Sequence, residues 1–298
     1  MYLITGANGF LGKELVSYLK KSENLITLSR ANSDIMVDLS LHIPQLPSLD
    51  VVVHCAGKAH SIPKTTKQKQ EFYDVNVNGT KHLLMGLSQA ASLPKYFIFI
   101  SSVAVYGLQS GIMVNENKPL AAIDSYGDSK IKAEALVIEW CKKNDVVCTI
   151  LRLPLLAGVN PPGNLNAMIE GIKAGYYFNI AGGKAKKSVA LISDVAKAIP
   201  IVANIGGIYN LTDRYHPSFY ELSILISKGL GKNKPLNVPY WLACLFAKVG
   251  DVLGSKFPIN SDKLKKITSD LTFDDSKAVK LFGWNPTPVI LKPLIDNF

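Results

Sequence analysis

Tyr2-Leu3-Ile4-Thr5-Gly6-Ala7-Asn8-Gly9-Phe10-Leu11-Gly12 reads as a short apolar strand, a glycine turn and the opening of a helix, with glycines recurring every third residue. A turn that tight needs residues without a Cβ, so that backbone N–H groups and the positive helix end can approach a pyrophosphate. The glycine pattern alone is weak. Strand, turn, helix and a position at the start of the chain together point to a dinucleotide site, here expected at Gly6 and Gly9.

Working outward, Leu25–Ser29, Val51–Cys55, Tyr96–Ser101 and Val147–Leu153 read as further strands, and Gly9–Lys21, Glu71–Ala91 and Ser125–Asn144 carry helical spacing. The strands are apolar throughout, the mark of strands covered on both faces. The expected fold class is therefore α/β, a doubly wound, mainly parallel Rossmann sheet. After Pro154 the chain turns rich in Gly, Pro and Asn over Ala157–Asn166, and Pro235, Pro239, Pro258, Pro286, Pro288 and Pro293 follow. The expected division is a dinucleotide-binding domain over residues 1–155 and a substrate-binding lobe over 156–298. Ser188–Ile192, Ser193–Asn204 and Ile208–Leu211 read as strand, helix and strand, so 188–211 is expected to return to the first sheet.

Of the 298 residues 48% are hydrophobic and 19% charged, which excludes disordered and low-complexity classes. Lysine and arginine number 33 against 23 acids, and the net charge of +10 favours an anionic partner. No recognition motif or basic run with interleaved aromatics accompanies that charge, so nucleic acid is not expected. Cys55, Cys141, Cys148 and Cys244 are scattered and the histidines do not cluster, so neither a disulfide framework nor a metal site is expected. With no basic, apolar leader ahead of the first strand, a reducing, cytoplasmic setting is expected. Val238 to Gly254, the most apolar stretch, is interrupted by Lys248 and Asp251 and is too short for a membrane span.

The second strand ends Leu28-Ser29-Arg30, where an NAD-preferring sheet places a carboxylate on the adenosine ribose. A hydroxyl followed by a guanidinium suits a 2′-phosphate instead, so NADP(H) is favoured; if Arg30 is only a solvated loop cation, NAD(H) binds. Asp38 either accepts from the adenine amino group or caps a turn. Tyr126 and Lys130 lie four apart on one helix face, and an ammonium beside a phenol lowers its pKa toward the range of a proton shuttle. Ser101-Ser102, at the C-terminal end of the preceding strand, offers a hydroxyl to the reacting oxygen.

These segments resemble the extended short-chain dehydrogenase/reductases that modify nucleotide sugars. The resemblance runs through the glycine turn, Asp38-Leu39, His54-Cys55-Ala56-Gly57, Asn76-Val77-Asn78-Gly79-Thr80, Ser101-Ser102-Val103-Ala104-Val105-Tyr106-Gly107, Tyr126-Gly127-Asp128-Ser129-Lys130 and Arg152-Leu153-Pro154. It implies Tyr126 as acid/base, Lys130 on the nicotinamide ribose and Ser102 on the substrate hydroxyl. It also implies cofactor contacts at Gly6, Gly9, Phe10, Leu11, Arg30, Asp38, Leu39, Ala56 and Pro154. The family's dehydratases carry an acidic pair after the Ser/Thr; here Val103-Ala104 stands there, which disfavours dehydration. Ala157-Gly158-Val159 also departs from the family's Tyr-Gly-Pro segment.

The later stretch Gly158–Asn166, with Lys186-Lys187-Ser188 and Asp194, is similar to the C4-reductases and epimerases of UDP-N-acetyl sugars in bacterial surface-polysaccharide pathways. That likeness suggests Asn164 or Asn166 on sugar or phosphate and Lys186 and Lys187 on a diphosphate, against a loop-capping Asn and a solvated basic turn. His54, Lys58 and His60 either border the site or pack and face solvent. Asn76 reads as bonding backbone in a helix kink, and Cys55 as a small buried residue. Tyr240–Val249 is amphipathic enough for peripheral membrane contact, with packing in the core or in a homodimer as the competing reading. The expected activity is NADP(H)-dependent reduction of a 4-keto nucleotide sugar. The alternatives are a UDP-sugar 4-epimerase holding NAD tightly and, more remotely, a non-catalytic dinucleotide sensor.

Overall fold

The strand residues Tyr2–Thr5 are all buried, as are Val51–His54, because each strand of this sheet is sandwiched between helices. A computed structural model describes residues 1–253, 259–292 and 294; Gly254, Pro258 and Pro293 lie outside the described residues.

In chain order the first half comprises β1 (Tyr2–Thr5), α1 (Phe10–Leu19), β2 (Leu25–Ser29), β3 (Ile35–Met36), β4 (Val51–His54), α2 (Thr66–Tyr73), α3 (Gly79–Gln89), β5 (Tyr96–Ser102), β6 (Gly111–Val114), α4 (Ser125–Lys143) and β7 (Val147–Leu153). The second half comprises β8 (Leu155–Ala157), α5 (Gly163–Lys173), β9 (Asn179–Ile180), β10 (Val189–Leu191), α6 (Ile192–Val202), β11 (Gly207–Asn210), α7 (Phe219–Gly229), β12 (Asn237–Val238), α8 (Tyr240–Leu253), α9 (Ser261–Thr268), β13 (Leu271–Phe273) and α10 (Ser276–Phe282).

The main sheet has seven parallel strands in the order β11-β7-β5-β4-β1-β2-β3. The chain winds one way through β2 and β3 and the other way through β4, β5 and β7, so the order reverses between β1 and β4. A crevice opens at such a switch point, beyond the carboxyl ends of the strands, and ligands bind there. Alternate strand residues feed two cores. Ile4, Val53, Ile98 and Leu151 meet Leu11, Leu15, Val195 and Ile199 of α1 and α6 on one face. Leu3, Val52, Phe97 and Ile150 meet Leu83, Leu87, Ala133 and Val137 of α3 and α4 on the other.

Two expectations need correction. Ser188–Ile192 does not join the main sheet: β10 pairs in parallel with β8, outside it, whereas α6 packs on the main sheet and β11 joins it alongside β7. Pro154 stands between β7 and β8, and a residue without an N–H ends one ladder and lets the next strand peel away. β8, β10, α5 and α7 then close a separate core around Leu165, Ile169, Leu191, Leu222 and Ile226. Glu71–Ala91 is not one helix either. α2 starts earlier, where Thr65 and Gln68 form a capping box, and a π-turn over Asp74–Asn78 joins it to α3. The polar Lys67-Gln68-Lys69-Gln70 run hid that start, since it carries no apolar periodicity.

Candidate functional site

The turn after β1 is built on contacts that admit no side chain. Gly6 has φ +65°, and a Cβ there would lie 2.7 Å from the backbone of Ala56 beyond β4. A Cβ on Gly12 would stand 2.1 Å from the Gly6 carbonyl oxygen, so this glycine seats α1 against the turn. Gly9 caps α1 without a side chain to satisfy the first-turn N–H groups, and no acid occupies that turn. A cradle of backbone donors at a helix N-terminus, sealed by glycines at the switch point, fits the pyrophosphate of a dinucleotide.

Asn8 links this cradle to the end of β2. Its amide donates to the Ser29 hydroxyl at 2.7 Å and to the Ala31 carbonyl, while Ser33 Oγ accepts from the Ser29 N–H at 3.0 Å. Arg30 is thus fixed in backbone on both sides, with its side chain exposed. Asp38 Oδ1 accepts from the Ser40 N–H at 2.9 Å and from its hydroxyl at 2.6 Å. The Ser40 bonds hold its carboxyl below the ordinary value, helped by the nearby Arg30 charge.

Ser102 ends β5, and α4 carries Tyr126 and Lys130 beneath it, started by Asp124, whose carboxylate caps the N–H groups of Tyr126 and Gly127. Burial raises the Tyr126 phenol above its ordinary value, and a hydrogen bond with Ser102 pulls it back. The expected lowering by Lys130 is not seen. The Lys130 ammonium donates to the Ile100 carbonyl at 2.7 Å and sits 4.4 Å over the Phe99 ring. It also lies 3.6 Å from where a Gly57 Cβ would stand, so the turn that meets Gly6 through Ala56 meets Lys130 through Gly57.

Burial pulls the Lys130 ammonium down to about 8, with Glu134 and Cys55 opposing. Between pH about 8 and the unfolded-lysine value near 10.4, the unfolded chain keeps a proton that the folded chain has released, so stability is expected to rise with pH. Melting temperature measured against pH checks this, and Lys130→Met removes the stability increment.

His54 is buried and both of its ring nitrogens are engaged by neighbouring hydroxyls. Thr80 Oγ1 donates to the Asn76 carbonyl at 2.6 Å, so it accepts from His54 Nε2 at 3.0 Å. The other ring nitrogen then accepts from Thr5 Oγ1 at 2.6 Å, and Thr5 Oγ1 accepts from the Ala56 N–H at 3.1 Å. Burial and the Lys130 charge bring His54 down to about 3, so it is neutral with its proton on Nε2. Asn76 lies in the π-turn. Its Oδ1 accepts from the Lys58 N–H at 2.6 Å, and its amide donates to Ser129 Oγ on α4 at 2.8 Å.

Sequence reading missed the pair under the site. Glu134 and Arg152 form a buried bidentate ion pair at 2.7 and 3.1 Å. Ser101 Oγ donates to Glu134, Arg152 Nη1 donates to Tyr106 OH at 3.1 Å, and Tyr106 OH donates to Asn210 at 2.8 Å. The signal was present: Tyr126, Lys130 and Glu134 stand at i, i+4 and i+8 on one face of α4.

The remaining residues divide. Leu11 and Leu39 are buried in the two cores, so only their backbones are free for a ligand, while Phe10 is partly buried and Pro154 half-buried between β7 and β8. Asn164 is exposed in the first turn of α5, whose Gly163 abuts the His60 ring. Lys58 pairs with Glu71 at 2.8 Å. Lys187, expected on a diphosphate, instead donates to the Lys266 and Ser269 carbonyls at 2.9 Å each, tying down the end of α9. Asp194 is likewise committed, to the Thr287 N–H and Lys197. Lys186 is exposed.

A model described as the NAD dependent epimerase/dehydratase family matches residues 2–211. The N-acetyl-alpha-D-glucosaminyl-diphospho-ditrans,octacis-undecaprenol 4-epimerase of Escherichia coli O157:H7 is 28% identical over 296 residues, covering 93% of this chain and 88% of that one. A UDP-glucose 4-epimerase of Vibrio cholerae is 26% identical, covering 95% and 90%. Among solved structures, a human epimerase family protein with NADPH superimposes at TM-score 0.77 with 17% identity, covering 100% of this chain and 99% of that one.

Proposed function

The chain belongs to the NAD-dependent epimerase/dehydratase family, and from that premise we propose that it moves a hydride at C4 of a sugar carried on a diphosphate. Membership makes it an NAD(P)-dependent enzyme of the nucleotide-sugar epimerase and reductase kind. The observation that carries the proposal is the Ser102–Tyr126 pair at the end of β5, with Lys130 held under the turn that seals the glycine cradle.

In this reading Gly6, Gly9 and the first turn of α1 hold the pyrophosphate, with Phe10, Leu11, Asp38, Leu39, Ala56 and Pro154 around the dinucleotide. Bound there, the dinucleotide would supply or accept the hydride. Lys130 holds the nicotinamide ribose, Ser102 orients the C4 oxygen, and Tyr126 passes a proton between its phenol and that oxygen. Residues 1–155 with α6 and β11 carry the dinucleotide, and the core of β8, β10, α5 and α7 shapes the sugar pocket, Asn164 at its edge. All four cysteines are free, in keeping with a reducing cytoplasm as the setting.

Net reduction with NADP(H) is favoured by Arg30, which is pinned in backbone, exposed in side chain and preceded by Ser29 where an NAD-preferring sheet carries an acid at the end of β2. A phenol that burial keeps protonated is also the form keto reduction consumes. A second reading, 4-epimerisation with retained NAD, is favoured by two relatives that each span most of the chain and are named 4-epimerases. One of them is named for a lipid-linked sugar, so the diphosphate carrier extends beyond UDP.

Titration of the cofactor-stripped protein with NADPH and NADH separates the readings. NADPH is expected to bind more tightly, and Arg30→Ala to cost about 10- to 100-fold in NADPH affinity, the worth of charge-assisted hydrogen bonds, with NADH unchanged. Equal affinities in wild type and variant, or NAD that resists stripping, would instead support the epimerase.

A further inference from the structure

We propose that the outward face of α8 docks this protein on an anionic lipid bilayer. α8 is packed inside out. Its buried face consists of the small residues Ala243, Ala247 and Gly250, set against Leu264 and Ile267 of α9. Its large residues point away from the protein. Trp241, Leu245, Val249 and Val252 recur at spacings of four, four and three along one stripe and are 66%, 53%, 47% and 86% exposed. Phe246 and Leu253 extend the stripe on one side. A helix stabilised only by its own chain would turn such residues inward, whereas a helix lying in a membrane interface presents them outward, with tryptophan at headgroup depth.

The charge carried by α8 and the sequence on either side of it selects the surface. Between Lys228 and Lys266 the sequence carries eight lysines and two aspartates, a surplus of six in a chain whose net charge is +10. Asp251, the one acid on α8, accepts from the N–H and hydroxyl of Ser261 at the start of α9, at 2.9 and 2.5 Å. Lys248 flanks the stripe and is exposed. A second copy of the chain is the poorer occupant. A two-fold contact through this face would set the lysine-rich region against itself, whereas an anionic headgroup layer complements it. The inference stands on the helix and its charge and does not depend on the reaction.

Co-sedimentation of the full-length protein with phosphatidylglycerol/phosphatidylethanolamine vesicles and with phosphatidylcholine vesicles, without substrate, tests it. Binding is expected to the anionic vesicles, to weaken with salt, and to weaken about fivefold in Lys248→Gln. Trp241→Ser/Leu245→Ser is expected to abolish it without changing the melting temperature. Acyl-brominated lipid is expected to quench wild-type tryptophan emission but not that of Trp241→Phe, which still binds. Failure to bind anionic vesicles, equal binding by the double variant, or a solution dimer that the double variant dissociates would overturn the proposal. Turnover on a water-soluble sugar nucleotide is unchanged in the double variant, so a failure of docking is distinguishable from a failure of the catalytic reading.

Discussion

Tyr126→Phe is expected to lower kcat by a factor of about 10² to 10⁴, the contribution of a positioned general acid, while leaving NADPH affinity within about twofold. The ring stays, packed 6.1 Å from that of Phe72, and only the hydroxyl bonded to Ser102 is removed. The variant should therefore bind and not turn over. Single-turnover kinetics beside a cofactor titration reads both quantities, and near-wild-type turnover would remove the reductase and the epimerase readings together.

Glu134→Gln and Arg152→Met are each expected to cost about 3–5 kcal/mol of stability, because each leaves the partner's charge buried and uncompensated. The loss should exceed that of any surface pair in the molecule. Arg152 lies on β7 opposite Ser101 of β5 and reaches Asn210 of β11 through Tyr106, so one pair joins three strands to α4. Urea unfolding midpoints measure the effect. The double variant should cost less than the two losses added, since removing both charges leaves neither one orphaned. Additive losses would mean that the two residues contribute separately.

The parallel sheet was legible because buried strands are apolar on both faces, a local property that β1, β2 and β7 display within the sequences that form them. The glycine turn was legible for a similar reason: Gly6, Gly9 and Gly12 answer constraints set within a few residues or by one neighbouring turn. What the sequence hid is non-local. Nothing near Lys187 announces that the carbonyls of Lys266 and Ser269 will take its ammonium, and so a basic turn looked like a phosphate site. Tyr126 and Lys130 were placed correctly on one helix face, yet the direction of the ammonium was decided by Ile100 and Phe99 on another strand. Tyr240–Val249 showed its amphipathicity in sequence, but only the fold shows that the small residues, and not the large ones, face the protein.

Hydride delivery to C4 is the step on which the whole account rests, and both directions of reaction require it. A single turnover of the protein loaded with reduced cofactor deuterated at the transferring position, presented with a UDP-linked 4-keto sugar, tests it directly. The account predicts deuterium at C4 of the product, resolved by NMR, and none in Tyr126→Phe over the same time. Deuterium at another carbon, or its retention in the cofactor while the wild-type sugar is consumed, would contradict it.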